Sequence, residues 1–212
     1  MPSSPAKNGF VFTYGRFNPP TKGHGFLFRE IVRQAAAMNA TPVIVVSHSN
    51  ASKKNPLTAE EKMSVIKQVF PKVVVLASSP TRLIGPIVKD LVDKYGNKPG
   101  LMLLGSDRVA GMSFLKKIYG INISQVGENR NSAASAANAG PARSLKQISG
   151  TRTRETAMRK IAANYSQAQK RADFRFQSLL GNTLSSPEIN KVMNDLSRRI
   201  NALPAKTPPK KK

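Results

Sequence analysis

Five short apolar runs recur along the first 126 residues, and most are followed by a longer stretch with helical periodicity. The runs are Phe10–Tyr14, Pro42–Ser47, Lys72–Ala77, Leu101–Gly105 and Ile121–Val126. Their centres are nearly continuous Val, Ile and Leu, the pattern of strands buried on both faces of a parallel sheet. After the first run, Phe28, Ile31, Val32, Ala35 and Met38 fall on one helical face. After the second, Thr58-Ala59-Glu60-Glu61 reads as a capping box, with Thr58 as N-cap and Glu61 at the third helical position. Met63, Ile66, Val69 and Phe70 give that helix its apolar side. After the third, Ile84 to Tyr95 predicts a helix with Ile87, Leu91 and Val92 inward. The alternation predicts an α/β fold: a Rossmann-like doubly wound parallel sheet of about five strands, with ligands at the carboxyl ends of the strands.

The pattern breaks over residues 127–147, where Gly127-Glu128-Asn129-Arg130-Asn131 leads into a Ser/Ala/Asn-rich stretch ending at Gly140-Pro141. This predicts a long surface loop, which suits a functional lid and a structureless insertion equally well. Beyond Ser149 the chain is helical in pattern. Ser186-Pro187-Glu188 predicts a helix start, with Ser186 as N-cap and Pro187 in the first position. Ile189, Val192, Met193, Leu196 and Ile200 then share one face. The expected organisation is a disordered leader over residues 1–9, a main domain over 10–164, a small helical extension over 165–203 and a disordered basic tail over 204–212.

Charge narrows the choice of partners. The 212 residues carry 34 Lys and Arg against 11 acidic residues, a net charge of +23. Residues 1–149 hold 20 basic and 7 acidic side chains, net +13, and residues 150–212 hold 14 and 4, net +10. Such an excess attracts polyanions, whether nucleic acid, nucleotides or acidic membrane surfaces; solubility or a nucleic-acid-rich compartment would also account for it. There are no cysteines, so disulfides and thiol chemistry are excluded. No stretch approaches the roughly 20 apolar residues of a membrane span, and the N-terminus lacks the pattern of a secretion or import signal. An intracellular protein is expected, cytoplasmic or packaged in a virus particle.

The chemistry concentrates in Gly15-Arg16-Phe17-Asn18-Pro19-Pro20-Thr21-Lys22-Gly23-His24. A strand, a Gly/Pro-rich turn and a helix start make an anion site, because unpaired backbone N–H groups and the positive helix end both favour a phosphate. Gly and Pro would shape any tight turn and Thr21 could simply cap the helix, but a purely structural turn needs neither Lys22 nor His24. The second element is Ile148-Ser149-Gly150-Thr151-Arg152-Thr153-Arg154. It offers two hydroxyls at a helix start and, in Arg154, a bidentate phosphate clamp. Leu104-Gly105-Ser106-Asp107 closes the fourth strand, as a turn near a ligand or as a plain helix cap. His48 follows the second strand and reads more simply as a loop residue without a role. Lys53 and Lys54 read as phosphate-loop residues or as a solvated basic pair.

Thr21-Lys22-Gly23-His24 resembles the Thr/His-x-Gly-His signature of the nucleotidyltransferase superfamily, and residues 148–154 resemble its Ile-Ser-x-Thr-x-x-Arg signature. The segment from Lys53 to Lys62 is similar to nicotinamide-mononucleotide adenylyltransferases, and residues 165–201 look like the C-terminal extension of viral and phage cytidylyltransferase-like proteins. The resemblance implies transfer of a nucleoside monophosphate, AMP ahead of CMP, from a nucleoside triphosphate to a small phosphorylated acceptor, with nicotinamide mononucleotide first in line and pyrophosphate released. It implies that His24, Thr21, Lys22 and Arg154 carry the chemistry. Gly15, Arg16, Phe17, Asn18, Gly23, Gly105, Asp107, Ser149 and Thr151 would bind the nucleotide. Mg2+ would bridge the phosphates with few protein ligands, in keeping with the lack of an acidic cluster in the sequence. The rival reading, from a different class, is a basic nucleic-acid-associated or virion structural protein that keeps the fold. Membrane span and oligomeric state are not part of either reading.

Overall fold

The computed structural model describes residues 8–48, 52–53, 55–80, 83–105, 108–126, 150–159 and 166–203, with no side-chain description for residues 150–152. The proposed loop at 127–147, the tail at 204–212, and Lys54, Asp107 and Ser149 lie outside the described residues, as does nearly all of the leader.

Five strands form one parallel sheet: β1 Phe10–Gly15, β2 Thr41–Val46, β3 Val74–Ala77, β4 Gly100–Leu104 and β5 Asn122–Gln125, in the order β3-β2-β1-β4-β5. The central strand β1 pairs with β2 from Phe10↔Thr41 to Gly15↔Val46, and with β4 from Phe10↔Gly100 to Phe12↔Met102. Successive side chains on a strand point to opposite faces, and both faces here are covered. Val11, Ile44, Val46 and Leu103 pack with Phe28, Ile31 and Ala35 of α1 (Lys22–Ala37) and Ile66 of α2 (Ala59–Val69). Phe10, Phe12, Val43, Val45, Met102 and Leu104 pack with Ile87, Val88 and Leu91 of α3 (Ile84–Tyr95) and Leu115 of α4 (Phe114–Tyr119). This double burial is why the strands read as unbroken apolar runs rather than alternating ones.

Some expectations shift in detail. β5 is an edge strand whose Asn122, Ser124 and Gln125 are exposed and whose Ile123 is half-buried, so only Ile121, just before it, is fully buried. Val32 is 38% exposed: it sits at the rim of the α1 apolar face, which Phe28, Ile31 and Ala35 fill. The α2 capping box forms as read, with Thr58 and Glu61 each accepting the other's backbone N–H.

The chain then continues as α5 (Gly150–Met158), α6 (Gln167–Gln177) and α7 (Ser186–Ala202). The cap of α7 is Ser185 rather than Ser186, because Glu188 lies three residues from Ser185 and accepts both its N–H, at 2.7 Å, and its O–H, at 2.6 Å. Pro187 therefore sits one position further into the helix. These helices build a third core from Ala157, Phe174, Ile189, Met193, Leu196 and Ile200, with Leu57 from the loop before α2 packed against it.

Candidate functional site

In the order β3-β2-β1-β4-β5 the chain reverses direction across the sheet between β1 and β4, and at such a switch point the loops diverge and leave a crevice. The turn from Gly15 to Thr21 leaves β1 there. Phe17 has a positive φ of 42°, and its ring folds back over Gly15; a Cβ on Gly15 would lie 2.6 Å from that ring. Glycine is thus required at 15 to let Phe17 turn inward, where its edge meets both His24 and Phe28 at 5.0 Å.

Asn18 is buried and acts as a strut. Its amide nitrogen donates to the Leu57 carbonyl at 2.8 Å and its amide oxygen accepts the Leu57 N–H at 3.0 Å, so the turn after β1 is locked to the loop before α2. Its backbone carbonyl accepts from the guanidinium of Arg154, reaching across from α5. The two sequence signatures, more than a hundred residues apart, meet at this one residue.

Thr21 caps α1, and His24 completes the box in the place where Glu or Gln is usual. The imidazole Nδ1 accepts the Thr21 backbone N–H at 3.1 Å and lies 3.0 Å from the Thr21 hydroxyl, which in turn accepts the His24 N–H at 3.4 Å. A backbone amide can only donate, so Nδ1 must present its lone pair and the proton of the neutral ring sits on Nε2. Phe17 edge-on and Phe28 stacked at 6.4 Å hold the ring plane. The result is a fixed N–H donor at the N-terminus of a 16-residue helix, where the dipole favours negative charge. Thr21 is buried, its hydroxyl engaged by the His24 backbone N–H and beside the imidazole.

Cations surround this helix end. Burial lowers the pKa of the Arg154 guanidinium, nearby Arg16 lowers it further, and Glu155 opposes them. Arg16 is exposed. Burial and, secondarily, Arg175 lower the pKa of the Lys22 ammonium, which donates to the Asn182 side-chain oxygen at 3.0 Å and lies 5.5 Å from the Phe176 ring centre. Arg16 thus lies near the partly buried Arg154, and Arg175 near the partly buried Lys22, two pairs of like charge. Gly23 lies in the first turn of α1, Gly105 follows β4 at the same edge of the sheet, and Thr151 begins α5. Among the described residues no group of three or more His, Asp or Glu side chains could hold a metal. Mg2+ brought in on phosphates fits a donor set made of cations and N–H groups; the protein would hold the phosphates and the phosphates the metal.

Some contacts near the site carry no signal in the sequence. Lys62 is fully buried, its ammonium donating to the Ser47 carbonyl just after β2. His48 donates its backbone N–H to the Ser78 hydroxyl at 2.9 Å. The extension meets the motif directly: the Leu179 N–H donates to the Pro20 carbonyl at 3.3 Å and Ser178 bridges to Thr21. These are backbone contacts, for which no residue type is a signal.

A five-stranded parallel sheet covered by helices on both faces defines a Rossmann-like α/β fold. The chain belongs to the cytidylyltransferase-like family, whose profile matches residues 12–156, from β1 into α5. No curated protein matches the chain. Among solved structures it is similar to a macrolide-efflux protein from Streptococcus pneumoniae, at 17% identity and a TM-score of 0.42, covering 73% of this chain and 52% of that one. The chain therefore spans about half the length of that protein. No helix among the described residues is long and apolar enough to cross a membrane.

Proposed function

We propose that the chain transfers a nucleoside monophosphate from a nucleoside triphosphate to a small phosphorylated acceptor and releases pyrophosphate. The observation that carries this reading is the His24 Nε2–H donor, set by Thr21 at the α1 N-terminus beside the Asn18–Arg154 link. An acceptor phosphate is already an anion at neutral pH, so the reaction needs no general base. Its oxygen attacks the α-phosphorus in line, and the bond to the β-phosphate oxygen breaks with pyrophosphate as leaving group. Catalysis is positioning and charge stabilisation. His24 donates to the α-phosphate as charge builds there. Arg16, Lys22 and Arg154, with Ser149 and Thr151, hold the β- and γ-phosphates, and Gly15, Phe17, Gly23, Gly105 and Asp107 border the nucleoside. Mg2+, when bound to the triphosphate, neutralises its charge.

ATP is the proposed donor and nicotinamide mononucleotide the first acceptor, on the resemblance of Asn55-Pro56-Leu57-Thr58-Ala59-Glu60-Glu61 and of the Gly15–Pro20 turn. Calorimetric titration decides the base: ATP should bind with Mg2+ and CTP at least tenfold more weakly. Tight CTP binding without ATP binding would replace the adenylyl reading by a cytidylyl one. The net charge of +23 favours a second role, in which the same folded chain associates with nucleic acid without sequence preference.

A further inference from the structure

The extension formed by α6 and α7 lies beyond the stretch that the family profile matches, yet it touches the start of α1, the loop before α2, and α5. Gln177 donates to the Thr156 hydroxyl at 2.9 Å, Arg199 pairs with Glu61 at 2.5 Å, and Leu179 packs so close to Gly25 that a Cβ there would meet its methyl at 2.7 Å. Within it, the turn between α6 and α7 is built rigidly. Arg175 donates to the Gly181 carbonyl at 3.1 Å, the Leu184 carbonyl at 2.8 Å and the Ser186 hydroxyl at 3.3 Å. Gly181 passes so close to α6 that a Cβ would lie 1.7 Å from the Arg175 carbonyl oxygen, so no other residue fits there without moving the turn. What this turn presents outward is Asn182, exposed to solvent, with its side-chain oxygen on the Lys22 ammonium.

We propose that Asn182 is a positioning residue for the transfer reaction: held by the Arg175-stapled turn, it fixes the Lys22 ammonium beside the α1 N-terminus for the terminal phosphates of the triphosphate. Lysine is a flexible point charge with a four-carbon stem, so its place has to be set by partners. Phe176 supplies a ring face beside the ammonium, and Asn182 an acceptor that leaves the charge in place, whereas a carboxylate would cancel it. A helical appendage thereby completes a phosphate site whose other parts come from the parallel-sheet domain. The inference rests on the nucleotidyl-transfer reading.

The test is a double-mutant cycle read by calorimetric binding of ATP and of inorganic tripolyphosphate to the full chain. Asn182→Ala should weaken both on the order of tenfold, the value of one charge-assisted hydrogen bond. Lys22→Ala should weaken them at least as much, and Asn182→Ala should then add nothing in the Lys22→Ala background. A merely structural role for Asn182 would give the same loss in both backgrounds, and that result, or wild-type affinity in Asn182→Ala, overturns the inference alone. A wild-type chain that binds neither ligand overturns the proposed function and this inference with it.

Discussion

Lys22 shows how much of a residue's chemistry is set by its surroundings. Folding withdraws its ammonium partly from water and sets it near Arg175, and both effects push its pKa below the ordinary 10.5. A folded value below the unfolded one means that the charged form is disfavoured by folding, a cost present at neutral pH and relieved as the pH rises through the lowered value. A bound polyphosphate favours the ammonium and raises the pKa again. Triphosphate affinity should therefore fall on the alkaline side of neutrality, before pH 10.5, with a fraction of a proton taken up on binding. Titrations in two buffers of different ionisation enthalpy would measure that uptake, and Lys22→Arg should abolish it, since arginine stays charged. At this scale the sequence displays residue types but not their partners. The motif Thr21-Lys22-Gly23-His24 is plain to read, and its resemblance suggests the proposed phosphate chemistry. That His24 closes the capping box with Nδ1, and so carries its proton on Nε2, depends on a 3.1 Å contact that only the turned chain creates.

Among elements, the sheet and its helices follow from periodicity, because strands buried on two faces and helices buried on one leave different patterns. The α3 helix spans Ile84–Tyr95 as the pattern predicts, and β5 departs from it because an edge strand need not be apolar on both faces. The extension is legible as helices but not as a buttress. Its apolar positions say that it packs, and they do not say that Phe174 and Met193 pack on Ala157 and Leu57, next to the two loops that hold the site. Phe174→Ala should accordingly cost about 3–5 kcal/mol of stability in denaturant unfolding. The loss should appear as a lower midpoint, with nucleotide affinity falling in the still-folded fraction as Leu57 and its Asn18 strut loosen. Unchanged affinity at full folding would mean that the third core and the site are independent.

For the whole molecule, the net charge of +23 and the parallel sheet agree with the proposed anionic partner, met at the carboxyl edge of the strands. In the proposed reading that partner is a nucleotide, and helix dipole, imidazole and guanidinium would converge on its phosphates. Long-range steering by the charge excess would speed the encounter with nucleotides and is weakened by salt. The central claim is that His24, fixed by Thr21, stabilises charge on a transferring phosphate. It is tested most directly by pyrophosphate release from ATP or CTP with Mg2+ and a panel of phosphorylated acceptors, nicotinamide mononucleotide first, for the wild type and His24→Ala. The account predicts release that depends on one acceptor and falls by about 10²–10³ in a folded His24→Ala variant, as for loss of one preorganised donor. Release that survives unchanged in His24→Ala, or no release from folded wild type with any pair, would contradict it.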